Sequence, residues 1–84
     1  MSYQVHIRRS AQKALAGLPP QDYERLRDAI RNLADEPRPH GCRKLTGRTG
    51  WRVRVGNYRV IYELDDKARM VMVLHVGHRR DVYE

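Results

Sequence analysis

Residues 51–62 read Trp51-Arg52-Val53-Arg54-Val55-Gly56-Asn57-Tyr58-Arg59-Val60-Ile61-Tyr62. Alternating runs flank a Gly-Asn pair, the signature of a β-hairpin closed by a two-residue turn. With Gly56 and Asn57 as the turn, Val55 faces Tyr58, Arg54 faces Arg59, Val53 faces Val60, Arg52 faces Ile61 and Trp51 faces Tyr62. The valines then point to one side of the sheet, and Arg52, Arg54 and Arg59 to the other. Like charges set directly opposite each other destabilise a strand pair. A sequence that opposes Arg54 and Arg59 is therefore expected to bind an anion or a carboxylate in return.

Outward from the hairpin, the chain divides into short elements. Tyr3, Val5 and Ile7 alternate with polar residues and predict a first strand with one buried face. Residues 10–18 carry Ala11, Ala14, Leu15 and Leu18 at helical spacing, with Ser10 as the expected cap and Gly17, Pro19 and Pro20 ending the turn. A second helix is expected over residues 20–35, with Tyr23, Leu26, Ile30, Leu33 and Ala34 on one stripe; Pro20 suits its first turn and Pro37 stops it. Residues 42–45 predict a short edge strand, 65–69 a polar loop and 70–76 the last strand. Taken as a five-residue loop, 65–69 places Leu64 opposite Met70, Val60 opposite Leu74 and Arg59 opposite His75. That register stacks Tyr58, Val60, Tyr62 and Leu64 against Met70, Met72, Leu74 and Val76, and leaves Ile61, Val71 and Val73 on the other side with His75 and the arginines. The expected architecture is an α+β fold: an N-terminal strand, then an antiparallel helical hairpin packed on a mainly antiparallel, twisted sheet.

The 84 residues make one domain, 1–84, with a single small core. Cys42 is the only cysteine, which excludes an internal disulfide, and no metal-ligand spacing is present, so neither a metal nor another cofactor is expected. No stretch is long and apolar enough for a signal peptide or a membrane span, and a reducing cytoplasm is the expected setting. The net charge is +7, and fourteen of the seventeen basic residues are arginine, whose planar fork suits bidentate contact with phosphate. Between Glu36 and Glu63 there is no acidic residue, while Arg38, Arg43, Lys44, Arg48, Arg52, Arg54 and Arg59 all fall there. Such a stretch is the electrostatic footprint of a nucleic-acid or acidic-protein partner.

A sheet face bearing Arg52, Arg54, Arg59 and Arg79, with His75, His78 and Tyr83 nearby in sequence, combines phosphate binding with groups able to move a proton. Metal-independent RNA cleavage needs those parts. Attack of a ribose 2′-hydroxyl on the adjacent phosphate requires a base, cations for the charge growing on the phosphoryl oxygens and an acid for the leaving 5′-oxygen. Arginine stays protonated and cannot be the base. His75, His78, Tyr83 or the surroundings of the RNA remain the alternatives for proton transfer.

The strings Trp51-Arg-Val-Arg-Val-Gly-Asn-Tyr-Arg-Val-Ile-Tyr-Glu63 and Val76-Gly-His-Arg-Arg-Asp-Val-Tyr83, with Arg43-Lys-Leu-Thr-Gly47 and the Leu-Pro helical turn, resemble the RelE/ParE superfamily of bacterial type II toxins, in its RelE-like branch, over the whole chain. The resemblance implies a microbial-ribonuclease-like fold that enters the ribosomal A site and cleaves messenger RNA, a RelB-like cognate antitoxin that holds it inactive, and contact with operator DNA through the toxin-antitoxin complex. It implies catalytic roles for Arg59, which stabilises the transition state, for Arg79 at the scissile phosphate, for Tyr83 against the nucleotide and for Arg54. Arg52, Arg43, Lys44, Arg48 and His78 form the expected RNA-binding set. Arg52 and Arg54 stand where the best-known RelE toxins have lysines, and an arginine cannot be shifted into a base, so the general base must lie elsewhere. Two other outcomes stay open: a ParE-like poison of DNA gyrase on the same scaffold, and a catalytically weak member acting through antitoxin and operator DNA.

Overall fold

The computed structural model describes residues 2–47 and 49–78. Its elements are β1 (Gln4–Ile7), α1 (Arg9–Ala16), α2 (Pro20–Asn32), β2 (Arg43–Lys44), β3 (Trp51–Val55), β4 (Tyr58–Asp65) and β5 (Met70–His78). The strand order β1-β5-β4-β3-β2 puts β4 at the centre; β1 runs parallel to β5, and the remaining pairs are antiparallel. Both helices cover one face, where Ala11, Leu15, Leu26, Ile30 and Leu33 meet Val55, Val60, Tyr62, Val71, Val73 and Val76. This is the α+β arrangement expected from the sequence. No helix among the described residues is long and apolar enough to cross a membrane.

The β3–β4 hairpin has the register read from its alternation, with Arg54 opposite Arg59 and Val53 opposite Val60. In its turn the left-handed conformation falls on Gly56, at φ 60°, the type II′ pattern in which glycine comes first. A side chain at Gly56 would also meet the Arg25 guanidinium of α2 at 3.0 Å.

The helix boundaries differ slightly from expectation. α1 begins at Arg9, with Ser10 inside its first turn and no side-chain cap. The cause lies in the sheet: the Arg8 N–H donates to the Val73 carbonyl at 2.9 Å, so strand pairing runs up to the helix, and the Gln12 side chain donates back to Ile7 O at 2.8 Å. α2 ends at Asn32, and residues 33–35 continue in tighter turns whose N–H groups reach back three residues. Tyr23, expected on the buried stripe, is 38% exposed and lies beneath the Arg27 guanidinium.

The β4–β5 register is corrected by the structure. Asp65, not Leu64, opposes Met70, so the loop is the four residues 66–69; Asp65 Oδ1 accepts the Ala68 N–H at 2.9 Å and Arg69 takes a left-handed φ of 54°. Leu64 therefore pairs with Val71 and Tyr62 with Val73, and both valines are fully buried under the helices instead of lying with the arginines. An extra residue, Leu74, then bulges out between the Tyr62–Val73 and Ile61–His75 pairs. Beyond the bulge Val60 opposes Val76 and Arg59 opposes Gly77. One bulged residue thus restores the side expected for His75 and Val76 after the shorter loop had reversed it.

Candidate functional site

Residues directly opposite on neighbouring strands point to the same side of a sheet. Two cross-strand rows on the side away from the helices follow from the pairing: Arg43–Arg52–Ile61–His75, and Arg54–Arg59–Gly77. Four guanidiniums thus come from three adjacent strands, β2, β3 and β4. Arg43 and Arg54 are exposed, Arg52 and Arg59 half-buried, and His75 exposed at the end of its row. Arg43, Arg52 and Arg54 line, with Gly41, a depression of about 480 Å³. Gly77, opposite Arg59, adds no side chain to its row. A pocket walled by arginine forks, with a histidine on the same face, can hold a phosphate and neutralise charge that grows on it.

The remaining expected residues are distributed differently. Lys44 pairs with Trp51, and His78 pairs with Tyr58, so both belong to the helix-facing side. There His78 meets the Tyr58 ring edge-on at 5.8 Å, and the Tyr58 hydroxyl donates to Asp22 in the first turn of α2 at 2.8 Å, a bond that raises the phenol's pKa. Arg48, Arg79 and Tyr83 lie outside the described residues.

A second cluster, at the other end of β3, was not readable as one. Arg38 pairs with Asp66 through both nitrogens, at 2.8 and 3.2 Å, and its guanidinium stacks over the Trp51 ring at 5.0 Å. The Tyr3 hydroxyl donates to the same carboxylate at 2.7 Å. These two partners, Arg38 first, hold the Asp66 pKa down at about 2, while the bond to Asp66 raises that of Tyr3. Just before Arg38, the carbonyl of Pro37 accepts the Tyr62 hydroxyl at 2.8 Å, and burial pushes the Tyr62 phenol far above its ordinary range. Of the basic residues between Glu36 and Glu63, Arg38 is therefore already neutralised by a carboxylate of this chain. Nothing in local spacing joins residues 38 and 66; the only sequence signal is an acidic pair, Asp65-Asp66, placed in a turn.

The family described as the ParE toxin of type II toxin-antitoxin system, parDE, matches residues 5–83. Toxin RelG of Mycobacterium tuberculosis is 34% identical over 87 residues, which span 99% of this chain and 98% of RelG. The archaeal RelE-RelB complex of Pyrococcus horikoshii contains a chain that superposes with a TM-score of 0.85 at 33% identity, covering 98% of this chain and 100% of that one. In the toxin-antitoxin complex RelBE2 of Mycobacterium tuberculosis the TM-score is 0.84 at 28% identity, over 94% of this chain and 100% of its counterpart.

Proposed function

The chain belongs to the ParE toxin family of type II toxin-antitoxin systems, within the RelE/ParE superfamily, and from that premise we propose that it is a metal-independent endoribonuclease that cleaves messenger RNA in the ribosomal A site. The observation that carries the proposal is the pair of arginine rows on the face turned away from the helices. In the proposed reaction a ribose 2′-oxygen attacks the adjacent phosphorus, its proton passes to a base, and the bond to the 5′-oxygen breaks as that oxygen takes a proton. The product ends carry a 2′,3′-cyclic phosphate and a free 5′-hydroxyl. Arg59 and Arg54 bind the phosphoryl oxygens most strongly when their negative charge is greatest, which is the condition for accelerating the step rather than only binding substrate. Arg43 and Arg52 extend the same cationic surface to a flanking phosphate. His75 ends the row of Arg43, Arg52 and Ile61 and is the histidine proposed for proton transfer; Arg79 and Tyr83 complete the proposed set.

The natural regulator of such a face is an acidic partner that covers it. RelE chains of Pyrococcus horikoshii and Mycobacterium tuberculosis are found in complexes with RelB-type antitoxins. A RelB-like antitoxin is accordingly the proposed partner here, with operator DNA bound through the complex, and the ribosome and its messenger in the cytoplasm as target.

Primer extension on a translated messenger tests the reading. The expected result is strand breaks in the A-site codon with the intact protein, and cleavage lower by about 10²–10³-fold with Arg59→Ala, the usual cost of losing one donor to a developing oxyanion. Arrested translation on an unbroken messenger would overturn it. A second reading is favoured by the ParE description of the matched family: poisoning of DNA gyrase. It predicts accumulation of cleaved gyrase–DNA complexes in a supercoiling assay while the messenger stays intact.

A further inference from the structure

β2 is two residues long and lies at the sheet edge, yet it carries Arg43, one wall of the arginine-lined depression. Two cross-strand pairs hold little by themselves, and both walls of the depression are cationic, so Arg43 is repelled by Arg52 and Arg54. Leu45, just past β2, is buried and its N–H donates to Gly50 O at 3.0 Å, which holds the trailing end of the edge; the leading end needs its own anchor. The segment leading into β2 is fastened at its start, where Pro37 O accepts the Tyr62 hydroxyl, and within, where the Cys42 N–H donates to Pro39 O at 3.0 Å. Between these points Arg38 grips Asp66 with two nitrogens and lies over the ring of Trp51, a β3 residue that pairs directly with Lys44 of β2. The Tyr3 hydroxyl donates to Asp66 Oδ1, the oxygen that also accepts from Arg38 Nη1.

We propose that Arg38, Asp66 and Trp51 form a clamp that holds residues 41–43 against Arg52 and Arg54, so that Arg38 is a positioning residue for the phosphate site and not itself a phosphate ligand. The inference rests on the RNA-binding reading of the arginine face. An exposed ion pair contributes little to global stability, and these side chains are 42% and 54% exposed. Its loss therefore frees the edge locally and leaves the core intact. The electrostatic sign separates a clamp from a simple charge effect: removing the Asp66 carboxylate makes a basic protein more basic, which by itself tightens binding to RNA.

The test is fluorescence anisotropy of a short single-stranded RNA at fixed low ionic strength, with Asp66→Asn, Arg38→Gln and the double variant, together with amide hydrogen exchange on the full chain without RNA. The clamp predicts that Asp66→Asn weakens binding about tenfold, comparable to losing one phosphate contact across a modest salt change. Arg38→Gln weakens it equally, and the double variant is no worse than either. The Cys42 and Leu45 amides exchange faster in each variant, while those of Val60 and Val73 are unchanged. Unchanged or tighter binding by Asp66→Asn overturns the proposal, as do unaltered Cys42 and Leu45 amides or a uniform acceleration that includes Val60 and Val73. If the unaltered protein fails to bind the RNA, the reading of the arginine face falls, and the exchange arm still decides whether the clamp exists.

Discussion

Arg54 and Arg59 face each other across the β3–β4 pair. Directly opposed like charges in a strand pair cost up to about 1 kcal/mol, whereas threonine suits a strand and removes the repulsion. Arg54→Thr is expected to raise stability by roughly 0.5 kcal/mol, read as a higher urea midpoint with an unchanged slope. The same variant is expected to lower messenger cleavage by about 10²-fold. A fall in stability would mean that the arginine pair is structural and would remove the reason for assigning it a ligand. Arginine has a further consequence at this scale: Arg52, Arg54 and Arg59 cannot give up a proton near neutral pH, so the proposed reaction divides phosphate binding and proton transfer between different side chains.

Among the elements, the two hairpins show what alternation can and cannot fix. In β3 and β4 the strict alternation of valine with arginine around Gly56-Asn57 determines both register and face, and the structure has them as read. In β5 the run Met70-Val71-Met72-Val73-Leu74 is apolar throughout, so either register buries a continuous apolar row, and period-2 reasoning has no purchase. The side-chain bond from Asp65 to the Ala68 N–H selects the four-residue turn, and the bulge at Leu74 is a count of one too many residues that no local motif announces. The shared face of Arg52, Arg54 and Arg59 was thus legible in the sequence, whereas the pairing of Arg43 with Arg52, the place of His75 opposite Ile61 instead of Arg59, the separation of His78 and Lys44, and the Arg38–Asp66 pair 28 residues apart depended on register and tertiary closure. The bulge has its own test. Deleting Leu74 leaves every strand pair with its present partner, so the protein is expected to stay folded at a cost of roughly 1–2 kcal/mol. Deleting Val76, beyond the bulge, leaves only His75 or Gly77 to take its buried place opposite Val60 and is expected to abolish cooperative melting in a circular-dichroism scan. Equal effects of the two deletions would show that Leu74 is not the supernumerary residue.

At the level of the whole molecule, Asp66 joins three regions far apart in the chain: β1 through Tyr3, the segment before β2 through Arg38, and the β4–β5 turn on which it lies. Its pKa of about 2 lies below the ~3.9 of an unfolded aspartate, so its stabilising contribution is fully present above about pH 4 and is lost as the pH falls toward 2. Tyr3 has the opposite sign: its raised pKa makes its contribution complete below pH 10 and lost at more alkaline pH. Exchange of the Cys42 and Leu45 amides relative to those of Val60 and Val73, followed from neutral pH down to 2, is expected to rise more steeply for the unaltered protein than for Asp66→Asn. Parallel curves would exclude Asp66 as a source of the acid sensitivity.

The pairing of β1 with β5 also bears on how this protein is made. A nascent chain leaves the ribosome amino end first, and among the described strands β1 has β5, the last to be synthesised, as its sheet neighbour. Until β5 has emerged, Val71, Val73 and Val76 are missing from beneath the helices and the first strand has nothing to pair with. Long-range closure of this kind comes late in folding. The finished arginine face therefore exists only after β5 has emerged, so the growing chain does not present it.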